Sequence, residues 1–184
     1  MQKFIKALLY KFLLALSKLV LMKKVILYIL LLVLINTVVA QSGNSLLYPR
    51  SSTLPPFTIT KVPDSTRFAM ANLQKNKAVM IVVFSPDCEH CQHEIKKIKA
   101  NIKLFKNVQI VMISNLGYQY IKVFYKEFEI AKYPSITMGM DYRYLLGSFF
   151  NMEGLPSVFL YDKNGKFVKA FDRNAPVQTI AAAL

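Results

Sequence analysis

The sequence predicts an α/β sandwich in which helices flank a mixed β-sheet. Ala78–Phe84 and Val108–Ser114 are continuously apolar and rich in β-branched residues, which is typical of strands buried on both faces of a sheet. Near the C-terminus, the strand-like runs Ser157–Asp162 and Lys166–Asp172 are joined by Lys163-Asn164-Gly165. Asn-Gly between two apolar runs is the strongest short signal of an antiparallel hairpin. Strands that alternate with helices and then end in a hairpin indicate the mixed sheet.

The helices are predicted from periodicity and from start signals. Cys91, Ile95, Ile98, Ile102 and Phe105 recur at spacings of three and four, which places them on one face of a helix. The other elements are expected in this order: a short strand over Phe57–Val62, a helix over Thr66–Lys75 that is N-capped by Asp64 and Ser65, a helix over Tyr118–Ile130, an extended piece and a turn over Tyr133–Met140, a short helix over Tyr142–Phe150 and a final helix over Pro176–Leu184.

The first forty residues are predicted to be a secretory signal peptide. Val25–Ala40 is an uncharged apolar run that follows Lys23-Lys24 and ends in the small residues Val38-Val39-Ala40, the pattern that a signal peptidase reads. The alternative is an uncleaved membrane anchor, although the run is shorter than the roughly 20 residues of a membrane-spanning helix. Met22-Lys23-Lys24 resembles the beginning of a signal peptide by itself, so residues 1–21 are interpreted as preceding the true start of translation. Residues 41–56 are expected to be a linker and residues 57–184 the folded domain.

The strongly basic composition does not indicate nucleic-acid binding. The chain has 24 Lys and Arg residues against 10 Asp and Glu, a formal net charge of +14. Six of the lysines lie in residues 1–40, and no cluster alternates arginines with aromatic residues as a base-stacking surface does. A basic protein surface that does not bind nucleic acid is therefore expected.

The only two cysteines, Cys88 and Cys91, form a CxxC pair. In an exported protein a pair of cysteines usually forms a disulfide. A bridge across so short a loop constrains the unfolded chain little, because loop-closure entropy grows with loop length. The pair follows a buried strand, at the start of a helix, where free amide groups and the helix dipole favour an anion. Cys88 is thus the expected nucleophile, and Cys91, on the core-facing stripe, is the expected resolving thiol.

Two stretches of the chain carry a resemblance to the thioredoxin superfamily, and most closely to its exported TlpA-like and ResA-like branch. They are Val82–Ile95, which holds the CxxC, and Gly154–Val168. The resemblance covers roughly residues 57–184 and implies a thioredoxin-like three-layer sandwich and thiol–disulfide oxidoreductase activity. It also implies a cis peptide bond before Pro156, with Leu155 and Pro156 facing the cysteines and binding substrate.

The resemblance implies roles for three residues of the CxxC helix. Glu94 occupies the position of a family glutamate near the thiols, from which a carboxylate could take the proton of the resolving cysteine. The alternative is that Glu94 only forms an ion pair with Lys97. Glu89 and His90 lie in the dipeptide between the cysteines and are expected to tune the reduction potential in opposite directions. The family's buried aspartate is replaced by Val82, and the chain has no tryptophan.

Two other functions remain as alternatives. The first is a metal-binding or metal-delivery protein on the thioredoxin fold. Its candidate ligands are Cys88, His90, Cys91 and His93, but a tetrahedral zinc site normally draws on two separated pairs and no second pair exists in the sequence. A thiol peroxidase would have Thr or Ser three residues before its reactive cysteine, where Ser85 lies, but no arginine is near it in the sequence. No metal or cofactor is expected. The expected partners are protein thiols and disulfides and a membrane or envelope redox partner, and the protein is expected to be a periplasmic or cell-envelope monomer.

Overall fold

The computed structural model describes residues 18, 21–26, 28, 52–150, 152–173 and 175–184. The chain divides into two compact units, Met1–Ser45 and Leu46–Leu184. In the first unit, the described residues are helical and exposed. Among the described residues, no helix is long and apolar enough to cross a membrane. Most of the predicted signal segment, its cleavage site after Ala40 and residues 41–51 of the predicted linker lie outside the described residues.

The second unit contains one seven-stranded mixed sheet, as the predicted α/β class requires. Its strands lie in the order β2-β1-β5-β4-β3-β6-β7. The two inner pairs β3–β4 and β4–β5 are parallel, and the remaining pairs are antiparallel. The elements are β1 Thr58–Lys61, β2 Arg67–Ala69, β3 Ala78–Val83, α1 Glu89–Ala100, β4 Val108–Ser114, α2 Tyr118–Glu127, β5 Ile136–Met140, α3 Leu145–Phe150, β6 Ser157–Tyr161, β7 Phe167–Asp172 and α4 Val177–Ala182.

Apolar side chains pack on both faces of the sheet, which gives three layers. Successive residues of β3 alternate between the two cores, because side chains along a strand point to opposite faces. Met80 and Val82 join the core that contains buried residues of α1, α2 and α4. Val79 and Ile81 join the core that contains the buried side of α3. The prediction that β3 is buried on both faces is confirmed, and so is the three-layer sandwich.

The predicted helix over Thr66–Lys75 is wrong. Residues 67–69 form β2, which pairs antiparallel with β1, and only Met70–Asn72 make a short 3-10 turn. Asp64 does not cap a helix. Its carboxylate instead accepts hydrogen bonds from the backbone N–H of Thr66, at 3.1 Å, and from the Thr66 hydroxyl, at 2.8 Å. Ser65 adopts a positive φ of 59°, and the chain turns back on itself as a hairpin.

The region expected to be an extended piece and a turn contains a strand in the middle of the sheet. β5 lies between β4 and β1 and pairs with both. Gly139 weakens the strand signal of this segment in the sequence, because glycine is depleted in strands. The structure requires glycine here, since a Cβ at Gly139 would lie 2.6 Å from the carbonyl oxygen of Thr60.

Candidate active site

Cys88 lies at the N-cap of α1, directly after the loop that follows β3. Its Sγ accepts a hydrogen bond from the backbone N–H of Cys91 at 3.3 Å. The thiol is half-buried, so a disulfide brought by a substrate can approach it. A sulfur that accepts an amide hydrogen bond at a helix N-terminus is in a setting that favours a negative charge.

Cys91 lies behind Cys88 and is fully buried, with an exposed fraction of 0%. The backbone N–H of Ser85 donates to its Sγ at 3.5 Å. Burial, followed by the interaction with the Cys88 thiol, raises the pKa of Cys91 to about 12. The two cysteines therefore differ in the way that a nucleophile and a resolving thiol must differ: one meets solvent, and the other is protonated and shielded.

The loop that carries Cys88 is held in place by local hydrogen bonds. The Cys88 N–H donates to the Ser85 carbonyl at 3.2 Å, which closes a turn over Ser85–Cys88. The side-chain amide of Gln92 donates to the Pro86 carbonyl at 2.9 Å and ties the loop to α1. The Ser85 hydroxyl donates to the Asp87 carboxylate. The hydroxyl is thus engaged away from Cys88, which gives no support to a peroxidase role for Ser85.

The Leu155–Pro156 pair lies beside Cys88. The Cys88 thiol donates toward the Leu155 carbonyl oxygen at 3.9 Å, and the peptide bond between Leu155 and Pro156 is cis. Strand pairing positions this loop, because β6 begins at Ser157, directly opposite Val83 at the end of β3. The structure therefore brings Leu155 and Pro156 to the CxxC although Leu155 lies 67 positions after Cys88 in the sequence.

Glu94 is buried on the same face of α1 as Cys91, with an exposed fraction of 1%. It lines a narrow cleft that also contains Pro156, Asp172 and Ile180. Neither carboxylate oxygen of Glu94 has a hydrogen-bond partner among the described residues. Burial raises the pKa of Glu94, and the ammonium of Lys97 opposes that shift.

The ion pair between Glu94 and Lys97 is present but loose. The Lys97 Nζ lies 3.8 Å from Glu94 Oε2, which is beyond hydrogen-bond distance, and the Lys97 side chain is 45% exposed. A pair of this kind contributes little to stability. The ion pair with Lys97 therefore does not compensate for the free-energy cost of burying the Glu94 carboxylate. A purely structural role for Glu94 leaves this burial unexplained.

Glu89 and His90 occupy the first turn of α1 and are exposed. Glu89 forms an ion pair with His93 at 3.7 Å when that imidazole is protonated. His90 and His93 face solvent while Cys91 points into the core, so these possible ligands do not converge. Among the described residues, no group of three or more His, Cys, Asp or Glu side chains is arranged to hold a metal ion.

A groove beside the site was not predicted from the sequence. Tyr120 and Val123 of α2 are exposed beside the CxxC loop, where they line a groove with Pro86 and Asp87. The available signal was an excess of apolar residues in α2, which has more of them than one buried helix face requires.

Comparisons with known proteins support the fold through structure alone. No family model matches the chain, and no curated protein matches it. A secreted disulfide oxidoreductase of Mycobacterium tuberculosis, homologous to E. coli DsbE, is 18% identical, with 70% of this chain and 96% of that one covered and a TM-score of 0.58. StoA from Bacillus subtilis is 13% identical, with 72% and 98% covered and a TM-score of 0.53. A thioredoxin-like protein from Aeropyrum pernix is 16% identical, with 70% and 89% covered and a TM-score of 0.55.

Proposed function

We propose that this chain, which has the thioredoxin-like fold and is structurally similar to thiol–disulfide oxidoreductases, exchanges disulfides with protein substrates through Cys88 and Cys91. The observation that carries the proposal is the contrast between the two thiols. Cys88 is half-buried at a helix N-cap, where its sulfur accepts an amide hydrogen bond, whereas Cys91 is buried directly behind it.

The first step forms a mixed disulfide. The Cys88 thiolate attacks one sulfur of a substrate disulfide, the substrate S–S bond breaks, and the departing substrate thiolate takes a proton. The backbone carbonyl of Leu155 lies against Cys88, so an extended substrate segment that reaches Cys88 also meets the loop of Leu155 and Pro156. We assign these two residues to substrate binding.

The second step releases the reduced substrate. Cys91 loses its proton and attacks the Cys88 sulfur, which forms the Cys88–Cys91 disulfide and frees the second substrate thiolate. One cause of the raised pKa of Cys91 is its interaction with Cys88. This contribution to the raised pKa ends when the Cys88 sulfur becomes part of a neutral disulfide, whereas the larger contribution, from burial, remains. The reverse sequence oxidises a substrate dithiol.

Glu94 is the proposed acceptor of the Cys91 proton. It lies one helical turn from Cys91, in the cleft below Pro156. A buried carboxylate whose pKa is raised is a stronger base than an exposed one, so proton transfer from the Cys91 thiol is less unfavourable. The pair is returned to its starting state by a dithiol or disulfide partner protein of the envelope, and the protein acts as a monomer.

The reduction potential of the Cys88–Cys91 pair tests this function. A catalytic pair is expected between about −270 and −120 mV, whereas structural disulfides lie below about −300 mV. His90→Ala is expected to make the potential more negative, and Glu89→Gln less negative, each by up to about 30 mV. The reason is that the His90 imidazole is expected to stabilise the Cys88 thiolate and hence the reduced form of the pair. The Glu89 carboxylate is expected to destabilise the thiolate and the reduced form. Equilibration with glutathione buffers measures the reduction potentials of all three proteins. A wild-type value below about −300 mV would contradict a catalytic role for the pair. Equal values for the three proteins would show that Glu89 and His90 do not tune the potential.

Residues 1–40 are proposed to direct export, with residues 41–56 as a linker and residues 57–184 as the catalytic domain. The support is the sequence pattern of Val25–Ala40, together with the fit of a CxxC pair to an oxidising compartment. The mature chain is expected to begin at Gln41. N-terminal sequencing of the protein from the envelope fraction checks this expectation, and recovery of the uncleaved chain in the membrane fraction would identify the segment as an anchor.

A further inference from the structure

A groove of about 720 Å³ runs along the side of the CxxC loop. One wall is Pro86 and Asp87, the two residues that precede the nucleophilic cysteine in the chain. The opposite wall is one face of α2. Because Asp87 is the chain neighbour of Cys88, whatever fills this groove lies within a few residues of a cysteine bound at Cys88.

The α2 wall is an exposed apolar stripe. Tyr120 and Val123 are one turn apart on this helix and are 69% and 53% exposed. They do not belong to the core, because Ile121 and Phe124 are the buried residues of α2. Exposed apolar residues that adjoin each other along the wall of a groove mark a binding surface more often than single scattered ones do.

Two carboxylates border the same groove. Asp87 lies at one wall and Glu127 at the end of the α2 stripe. Neither forms an ion pair with a described residue, whereas Glu129, just beyond the groove, is paired with Lys132. The two lysines of α2, Lys122 and Lys126, lie outside the groove lining, and the Lys122 Nζ lies 5.9 Å from the Tyr118 ring. In a chain with 24 basic residues, this groove is thus a local region of negative charge.

We propose that the groove selects substrate segments that carry a lysine or arginine next to an apolar side chain, within about three residues of the disulfide cysteine. The stripe from Tyr120 to Glu127 is about 10 Å long at the helical rise, which matches about three residues of extended chain. The apolar side chain packs on Tyr120 and Val123, and the cation lies between the carboxylates of Asp87 and Glu127. This inference rests on the proposed exchange function and adds the class of substrate to it.

The test uses reduced wild-type protein and three disulfides. Two are peptides whose cysteine is joined to nitrothiobenzoate, one with a Lys-Leu flank and one with a Glu-Ser flank, and the third is the small chromogenic disulfide without a peptide. Wild type is expected to react about tenfold faster with the Lys-Leu peptide than with the Glu-Ser peptide, a ratio that corresponds to one good apolar or ionic contact.

Four variants locate the selectivity. Val123→Ser is expected to lose most of the preference for the Lys-Leu peptide while its rate with the small disulfide stays unchanged. Val168→Ser is the matched control, because Val168 is 42% exposed on β7 and lies outside the groove lining. Glu127→Lys is expected to reverse the charge preference, whereas Glu129→Lys, with the same charge change outside the groove lining, is expected to retain it.

The outcomes separate the two proposals. If wild type reacts with the small disulfide but does not distinguish the peptides, or if the control variants change selectivity as much as the groove variants do, the groove proposal is overturned and the exchange function stands. A wild-type protein that does not react with the small disulfide overturns the exchange function itself. If Val123→Ser changes the oligomeric state instead of the peptide rates, the occupant of the groove is a second copy of this chain and the proposal is wrong.

Discussion

Cys91→Ser is expected to trap substrate proteins as stable mixed disulfides at Cys88. The variant keeps the half-buried nucleophile but lacks the buried thiol that would attack the mixed disulfide, so the intermediate accumulates. Cys88→Ser is expected to trap few proteins and to lose exchange activity by roughly 10³-fold or more, because a buried thiol of high pKa does not replace the nucleophile. Non-reducing electrophoresis of envelope extracts, followed by mass spectrometry of the adducts, measures the trapping.

The two serine variants control for each other, since each removes one sulfur from the same four-residue motif. Equal trapping by both would contradict the assignment of Cys88 as the nucleophile and Cys91 as the resolving thiol. No trapping by either variant, under conditions where wild type also leaves substrate disulfides intact, would contradict the exchange mechanism.

Glu94→Leu is expected to stabilise the protein and to slow the resolving step. The buried carboxylate has no hydrogen-bond partner among the described residues, and its removal is expected to raise the free energy of unfolding at pH 8 by about 1–3 kcal/mol. The loss of the proton acceptor is expected to prolong the mixed disulfide by about 10²-fold, the size of a general-base contribution. Denaturant unfolding and stopped-flow decay of a mixed disulfide measure the two effects.

The difference in stability between Glu94→Leu and wild type is expected to depend on pH. Because burial raises the pKa of Glu94, the folded protein keeps this proton to a higher pH than the unfolded chain does. As far as Glu94 determines it, the free energy of unfolding of the wild-type protein is therefore highest below the ordinary glutamate pKa. It falls as the pH rises through the raised pKa of Glu94. Glu94→Leu removes this part of the slope.

Glu94→Gln separates the two roles, since it removes the proton acceptor but leaves a polar group in the same buried position. It is expected to slow resolution as Leu does and to gain less stability. A Glu94→Leu protein that is no more stable than wild type and resolves mixed disulfides at the wild-type rate would show that Glu94 is a minor partner of Lys97 and nothing more.

The central part of the fold was predictable because it depends on local patterns. The continuous apolar runs of β3 and β4 can only be buried, and the Asn-Gly hairpin specifies its own turn. β2 was not predictable, because it has only three residues, one of them Arg67, and it depends on pairing with β1. β5 was not predictable either, since Gly139 is unfavourable in an isolated strand and is required only by the close approach of Thr60.

Some features of the candidate site were also predictable from the sequence and others were not. The positions of Cys88 and Cys91 on α1 follow from their spacing and from the strand before them. The contact of Leu155 with Cys88 depends on the antiparallel pairing of β3 with β6, so only a resemblance to known proteins could supply it. The groove beside α2 was missed because Tyr120 and Val123 resemble core residues in a sequence, and only the structure places them at the surface.

The most direct test of disulfide exchange through Cys88 and Cys91 is the product of one turnover by the wild-type protein. Fully reduced protein is mixed with one equivalent of a peptide disulfide, quenched with acid, and both species are weighed by mass spectrometry. The protein is expected to lose two hydrogen atoms and acquire a Cys88–Cys91 disulfide, while the peptide gains the two hydrogens as a dithiol. A reduced protein left unchanged beside intact peptide, or a wild-type protein that accumulates as a stable peptide adduct, would contradict this exchange.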